Sequence, residues 1–134
     1  MNTRALIASL VLPFLLVAVA NAQTPITTIQ DVTPKPSVFD AASRNKPLVI
    51  RSQKDAAQHF AKDHLARLNK QVDFDKQFVL VFAWKGSGQD RLDVAVAESY
   101  PEQIMFKFKP GRTRDLRPHI YVYALRSNVT WNVR

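Results

Sequence analysis

Three guanidinium groups fall within six residues at Arg112, Arg114 and Arg117. A planar guanidinium grips a carboxylate, sulfate or phosphate through two parallel hydrogen bonds. The three sit in the stretch Pro110 to His119, which is long for a hairpin connection. Long loops on a rigid sheet often carry binding residues. Lys107 and Lys109 precede the stretch, and Tyr121, Tyr123 and Arg126 follow it. Should the flanking strands share a face, cations and aromatic rings would interleave there. Such a surface stacks on flat ligands and holds acidic groups nearby. The structural alternative ties the arginines to backbone carbonyls or to Asp115 and leaves the tyrosines on an ordinary sheet face or in the core.

Other chemistry is sparser. Ser87, Asp90 and His119 would suit a small hydrolase if they converged in a pocket. Gly86-Ser87-Gly88 lacks the Gly-x-Ser-x-Gly pattern of a nucleophile elbow. It also lacks the length and the lysine of a phosphate-binding loop. A small backbone nest for an anion is a further reading. The plainer reading is a hairpin turn whose glycines adopt positive φ, with Asp90 bonded to the backbone. His64 falls on the apolar face of a predicted helix and reads as a core or boundary residue. Asp55, His59 and Asp63 make an i, i+4, i+8 stripe, which on a helix is usually a solvated face. With three His, no Cys and no His-Glu-x-x-His pattern, neither metal nor cofactor is expected.

Charge sharpens the first reading. The 134-residue chain carries a formal net charge of +8, and residues 103–134 hold seven cations against Asp115 alone. Residues 23–102 are close to neutral. The N-terminus places Arg4 before an apolar run from Ala5 to Ala20, then Ala20-Asn21-Ala22. This is the three-part pattern of a secretory signal cut after Ala22. The run is short for a membrane-spanning helix, and no later segment approaches that length. A bacterial protein, secreted or periplasmic, is therefore expected, with no nucleic acid among its partners.

The elements that must position these residues follow from hydrophobic period. Residues 23–45 contain Pro25, Pro34 and Pro36 among polar residues and read as an extended leader or linker, with Val38-Phe39 able to dock. Pro47 to Arg51 is a short strand. Ser52 caps a predicted amphipathic helix over 53–69, with Ala57, Phe60, Ala61, His64, Leu65 and Leu68 on one side. Phe78 to Trp84 is uninterrupted and apolar, as in a central strand covered on both faces. Residues 91–98, 103–109, 120–125 and 129–133 alternate as further strands. Pro110-Gly111 turns the chain, with Gly111 expected at positive φ. The predicted fold is α+β: residues 46–134 form a single domain, one helix on a mostly antiparallel, curved sheet of about six strands.

The run from Val49 to Leu80, and Val72-Asp73-Phe74-Asp75-Lys76 entering an apolar strand in particular, resembles the C-terminal domain of PrcB-type accessory proteins of bacterial protease complexes. That resemblance implies an exported, mostly-β domain of uncertain biochemical role and supplies no catalytic residue. The sequence departs from the family pattern at Trp84 to Asp90, where a Gly-Gly-Tyr-like turn is usual. Together these readings point to a non-enzymatic domain that binds an acidic protein or anionic polymer. Arg112, Arg114, Arg117, Lys107, Lys109, Tyr121 and Tyr123 are the candidate contacts. A small envelope hydrolase and a purely structural envelope protein are the alternatives.

Overall fold

The computed structural model describes Pro13 and residues 24–134, so the expected signal segment lies outside the described residues apart from Pro13. The described chain runs β1 (Ile26–Thr28), α1 (Val38–Ala41), β2 (Leu48–Ile50), α2 (Gln53–His59), α3 (Lys62–Gln71), β3 (Gln77–Gly86), β4 (Arg91–Ala97), β5 (Gln103–Lys109), β6 (Arg117–Arg126) and β7 (Thr130–Val133). The α+β class and the mostly antiparallel pairing are as expected. The strands divide between two sheets: β1-β6-β3-β2 and β4-β5-β7. Only the β5–β7 pair is parallel among the described strands. No helix among the described residues is long and apolar enough to cross a membrane.

Alternation along β3 explains the second sheet. Val79, Val81 and Ala83 pack with Ile50, Ala56, Phe60 and Leu68 on the helical side. Phe78, Leu80, Phe82 and Trp84 pack with Leu92, Ile104 and Phe106 on the other. Every residue of β3 from Gln77 to Trp84 is buried. A strand covered on both faces has no need of polar alternation, hence the uninterrupted apolar run. Sheet β1-β6-β3-β2 is thus the middle of three layers.

The predicted single helix is two. Phe60 is extended, with φ −123° and ψ 138°, and separates α2 from α3. The break leaves the His59 carbonyl free to accept the Lys35 N–H at 2.7 Å. It also seats Phe60 in the core at 2% exposure, while Ala57 and Ala61 face solvent. The expected cap at Ser52 is present, its Oγ accepting the Asp55 N–H at 3.1 Å. With Asp55 and His59 on α2 and Asp63 on α3, the stripe of three does not form on one helix.

Residues 24–45 are no free linker. β1 pairs with β6, and Ile29, Val32, Val38 and Ala42 are buried in the helical-side core. Helix α3 clasps this segment by side chains that imitate a strand. Gln71 Nε2 donates to the Gln30 carbonyl at 2.8 Å, and Gln71 Oε1 accepts the Gln30 N–H at 2.9 Å. His64 Nδ1 accepts the Thr33 N–H at 3.1 Å, and Arg67 donates to the Asp31 carbonyl. His64 is therefore a half-buried boundary residue that anchors backbone. The segment lacks hydrophobic period because its groups are satisfied one at a time by partners far along the chain, not by its own repeat.

Candidate anion-binding face

Two chain reversals meet at one end of the molecule: residues 87–90 after β3 and residues 110–116 before β6. Ser87 is the joint. Its Oγ accepts the N–H groups of Gln89 and Thr113, both at 3.2 Å, and shares a hydrogen bond with the Thr113 hydroxyl. Asp115 Oδ1 accepts the Gly88 N–H at 3.0 Å. Asp90 Oδ1 accepts the Gly111 N–H at 2.7 Å, and its Oδ2 accepts Trp84 Nε1–H at 3.1 Å. The Thr113 hydroxyl, then the Gly88 amide and Arg117, hold the Asp115 carboxyl far below the ordinary carboxylate range.

The glycines serve close approach here. None of the three adopts positive φ, contrary to the turn expectation. A Cβ on Gly86 would lie 2.4 Å from Asp90 Oδ2, and one on Gly88 2.7 Å from Asp115 Oδ2. On Gly111 it would lie 2.5 Å from Ser87 Oγ. Gly88 and Gly111 are needed because the two reversals press on each other, and Gly86 because the Asp90 carboxylate of its own reversal folds back over it, whatever the dihedral angle.

Ser87, Asp90 and His119 do converge, with their polar atoms turned to the framework. His119 Nε2 addresses the Ser87 carbonyl oxygen at 2.7 Å, and its ring stacks on Trp84 with centroids 5.0 Å apart. Ser87 Oγ is engaged by the loop, and Asp90, at 7% exposure, is engaged by Trp84 and Gly111. What this trio does chemically is fasten two loops. Among the described residues no three His, Asp or Glu side chains gather as a metal site.

This stiffened end displays cations. Arg112, Arg114 and Arg117 are all exposed. Arg117 belongs to β6, opposite Gly86, and its Nε donates to Asp115 Oδ2 at 3.2 Å. The side chains of Arg112 and Arg114 make no hydrogen bond, ion pair or ring contact among the described residues. Arg44, Arg51 and Lys85, by contrast, each cover an aromatic ring, those of Phe108, Phe78 and Phe39.

Lys107 and Lys109 point away from the core on β5, whose alternate residues Ile104 and Phe106 point into it. Tyr121 and Tyr123 do not join them. Both rings lie in the gap between the two sheets: Tyr123 sits 5.5 Å from Phe106, and Tyr121 stacks on Trp84. The expectation of one shared face fails because the strands of β5 and β6 lie in different sheets, packed inner face to inner face. Desolvation, followed by the neighbouring Tyr121 and Asp93, pushes the Tyr123 hydroxyl up to about 12.

Two residues that sequence reasoning missed complete the basic face. Register places Arg91 opposite Lys109. Arg134 reaches the same surface because β7 runs beside β5. A concavity of about 680 Å³ on the outer side of sheet β4-β5-β7 has Asp93, Lys107, Lys109 and Arg134 in its wall. A second, of about 600 Å³, has Arg91, Lys109 and Arg112 in its wall. Lys109 lines both. Its Nζ lies 2.7 Å from Asp93 Oδ2, and that hydrogen bond lowers the Asp93 pKa. Arg91 was legible only as an alternating cation on its strand. Arg134 was legible as one of the seven cations of residues 103–134, but only the β5–β7 pairing places it on this surface.

No known protein family, curated protein or solved structure matches the chain.

Proposed function

We propose that this chain is an exported, non-enzymatic domain that binds an acidic protein or polymer across the outer face of sheet β4-β5-β7 and the adjoining arginine loop. One observation carries the reading: Lys109 belongs to both concavities, so the loop cation Arg112 and the sheet cations Lys107 and Arg134 border one continuous surface. Asp93 and Lys109 offset each other there, leaving Arg91, Lys107, Arg112 and Arg134 in excess. Converging cations on a concave surface concentrate anions and steer their approach. The resemblance to PrcB-type accessory domains and the leader-like residues 1–22 fit an exported binding role.

The test is titration of the chain lacking residues 1–22 with polyglutamate at low and physiological salt. Affinity is expected to fall steeply as the screening length shortens toward about 8 Å. The triple substitution Arg91→Ala, Lys107→Ala and Arg112→Ala is expected to weaken binding at least tenfold while the thermal transition stays in place. Affinity indifferent to salt, or unchanged in the triple variant, removes the proposal.

A further inference from the structure

Strand β4 ends its sheet, and no other described strand pairs with its outer side. Natural proteins protect such an edge with proline, a bulge, an inward-pointing charge or a covering segment. β4 has no proline, and its register with β5 runs from Arg91 to Ala97 without a bulge. Its inward-facing positions are apolar, and two of them, Val94 and Val96, are 36% and 40% exposed. Among the described residues, seven residues of unpaired backbone edge with an apolar inner row, beside Thr24 to Ile26 at the Val96 end, make a template for an added strand.

The two faces of that edge differ in chemistry. An added strand would set alternate side chains beside Leu92, Val94 and Val96, where apolar groups extend the core. Its other side chains would lie on the outer face, beside Arg91, Asp93, Ala95 and Ala97. Ala95 and Ala97 are short, so a glutamate-length side chain passing over Ala95 meets Met105 directly across on β5, with Lys107 on the diagonal beyond Asp93. Among the outward rows of β4, β5 and β7 the acid is Asp93, already held by Lys109. A second copy pairing β4 to β4 would bring one cation, Arg91, and one acid, Asp93, from each copy, and so would add no surplus acid for Lys107 and Arg134. A peptide alternating acidic and apolar residues satisfies both rows.

We propose that β4 accepts an extended acidic peptide as a fourth strand of sheet β4-β5-β7. This deepens the binding role proposed above and rests on it. Backbone pairing would supply affinity, and the basic outer face would select acidic side chains.

The probe is a labelled eight-residue peptide of alternating Glu and Val, added to the chain lacking residues 1–22. Its N-methylated counterpart and polyglutamate serve as comparisons. The peptide is expected to slow hydrogen exchange of alternate amides within residues 91–97 at least tenfold. N-methylation is expected to weaken binding at least tenfold. The double substitution Val94→Lys and Val96→Lys is expected to do the same while polyglutamate still binds. Equal binding of the N-methylated peptide, or protection confined to residues 110–117, overturns the added strand. Protection of β4 that rises with protein concentration in the absence of peptide assigns the edge to a second copy and also overturns it. Binding of polyglutamate without binding of the alternating peptide overturns the strand and leaves the broader reading standing. Binding of neither removes both.

Discussion

Trp84 and Asp90 are joined by a buried hydrogen bond of 3.1 Å from the indole Nε1 to one carboxylate oxygen. The other oxygen of Asp90 accepts the Gly111 amide. One carboxylate thus ties the end of β3 to the start of the arginine loop. Its closeness to Gly86 explains why no side chain stands there.

Asp90→Asn exchanges one acceptor for a donor, so either the Trp84 N–H or the Gly111 N–H then faces another N–H. An unsatisfied buried polar group costs about 1–3 kcal/mol. Urea unfolding of the variant is expected to show a loss of that size, with added exchange at the Gly111 amide.

Gly111→Ala places a Cβ 2.6 Å from the Gln89 carbonyl carbon, a backbone atom that cannot swing aside. Overpacking of this kind costs roughly 1–3 kcal/mol. The melting temperature is expected to fall and polyglutamate affinity to drop with it, because Arg112 is the next residue.

Removing residues 24–45 strips Ile29, Val32 and Val38 from the helical-side core and β1 from the sheet edge. Each such burial is worth roughly 1.5–3 kcal/mol. The sum rivals the total stability of a typical domain, about 5–15 kcal/mol. The truncated chain is expected to lose its cooperative unfolding transition by circular dichroism.

Tyr123 gives stability a dependence on high pH. In the unfolded chain its hydroxyl ionises near 10, while the folded site keeps the proton up to about 12. Between those values the unfolded chain has given up a proton that the folded chain retains. Stability is therefore expected to decline as pH rises from about 10 to about 12, and this group contributes no slope below that window. Tyr123→Phe is expected to flatten that part of the pH profile in urea titrations.

Legibility followed the range of the interactions. The apolar run of β3, the alternation of β5 and the Ser52 cap were readable because each depends on neighbours within a few residues. The helix break at Phe60 was not readable, since its freed carbonyl is taken by Lys35, more than twenty positions earlier. Alternation told that Lys107 and Lys109 share a side of their strand and that Tyr121 and Tyr123 share a side of theirs. It could not tell that the two strands belong to facing sheets, which turns the tyrosines inward.

By itself, the sequence determined the α+β class, the strands that need cover and the concentration of cations toward residue 134, because pattern and charge are properties of the chain. Tertiary structure alone decided the three layers, the docking of residues 24–45 and the meeting of Arg91, Lys109, Arg112 and Arg134 on one surface. Register and sheet stacking join residues far apart in sequence, and no local period encodes which side of a second sheet a strand will face.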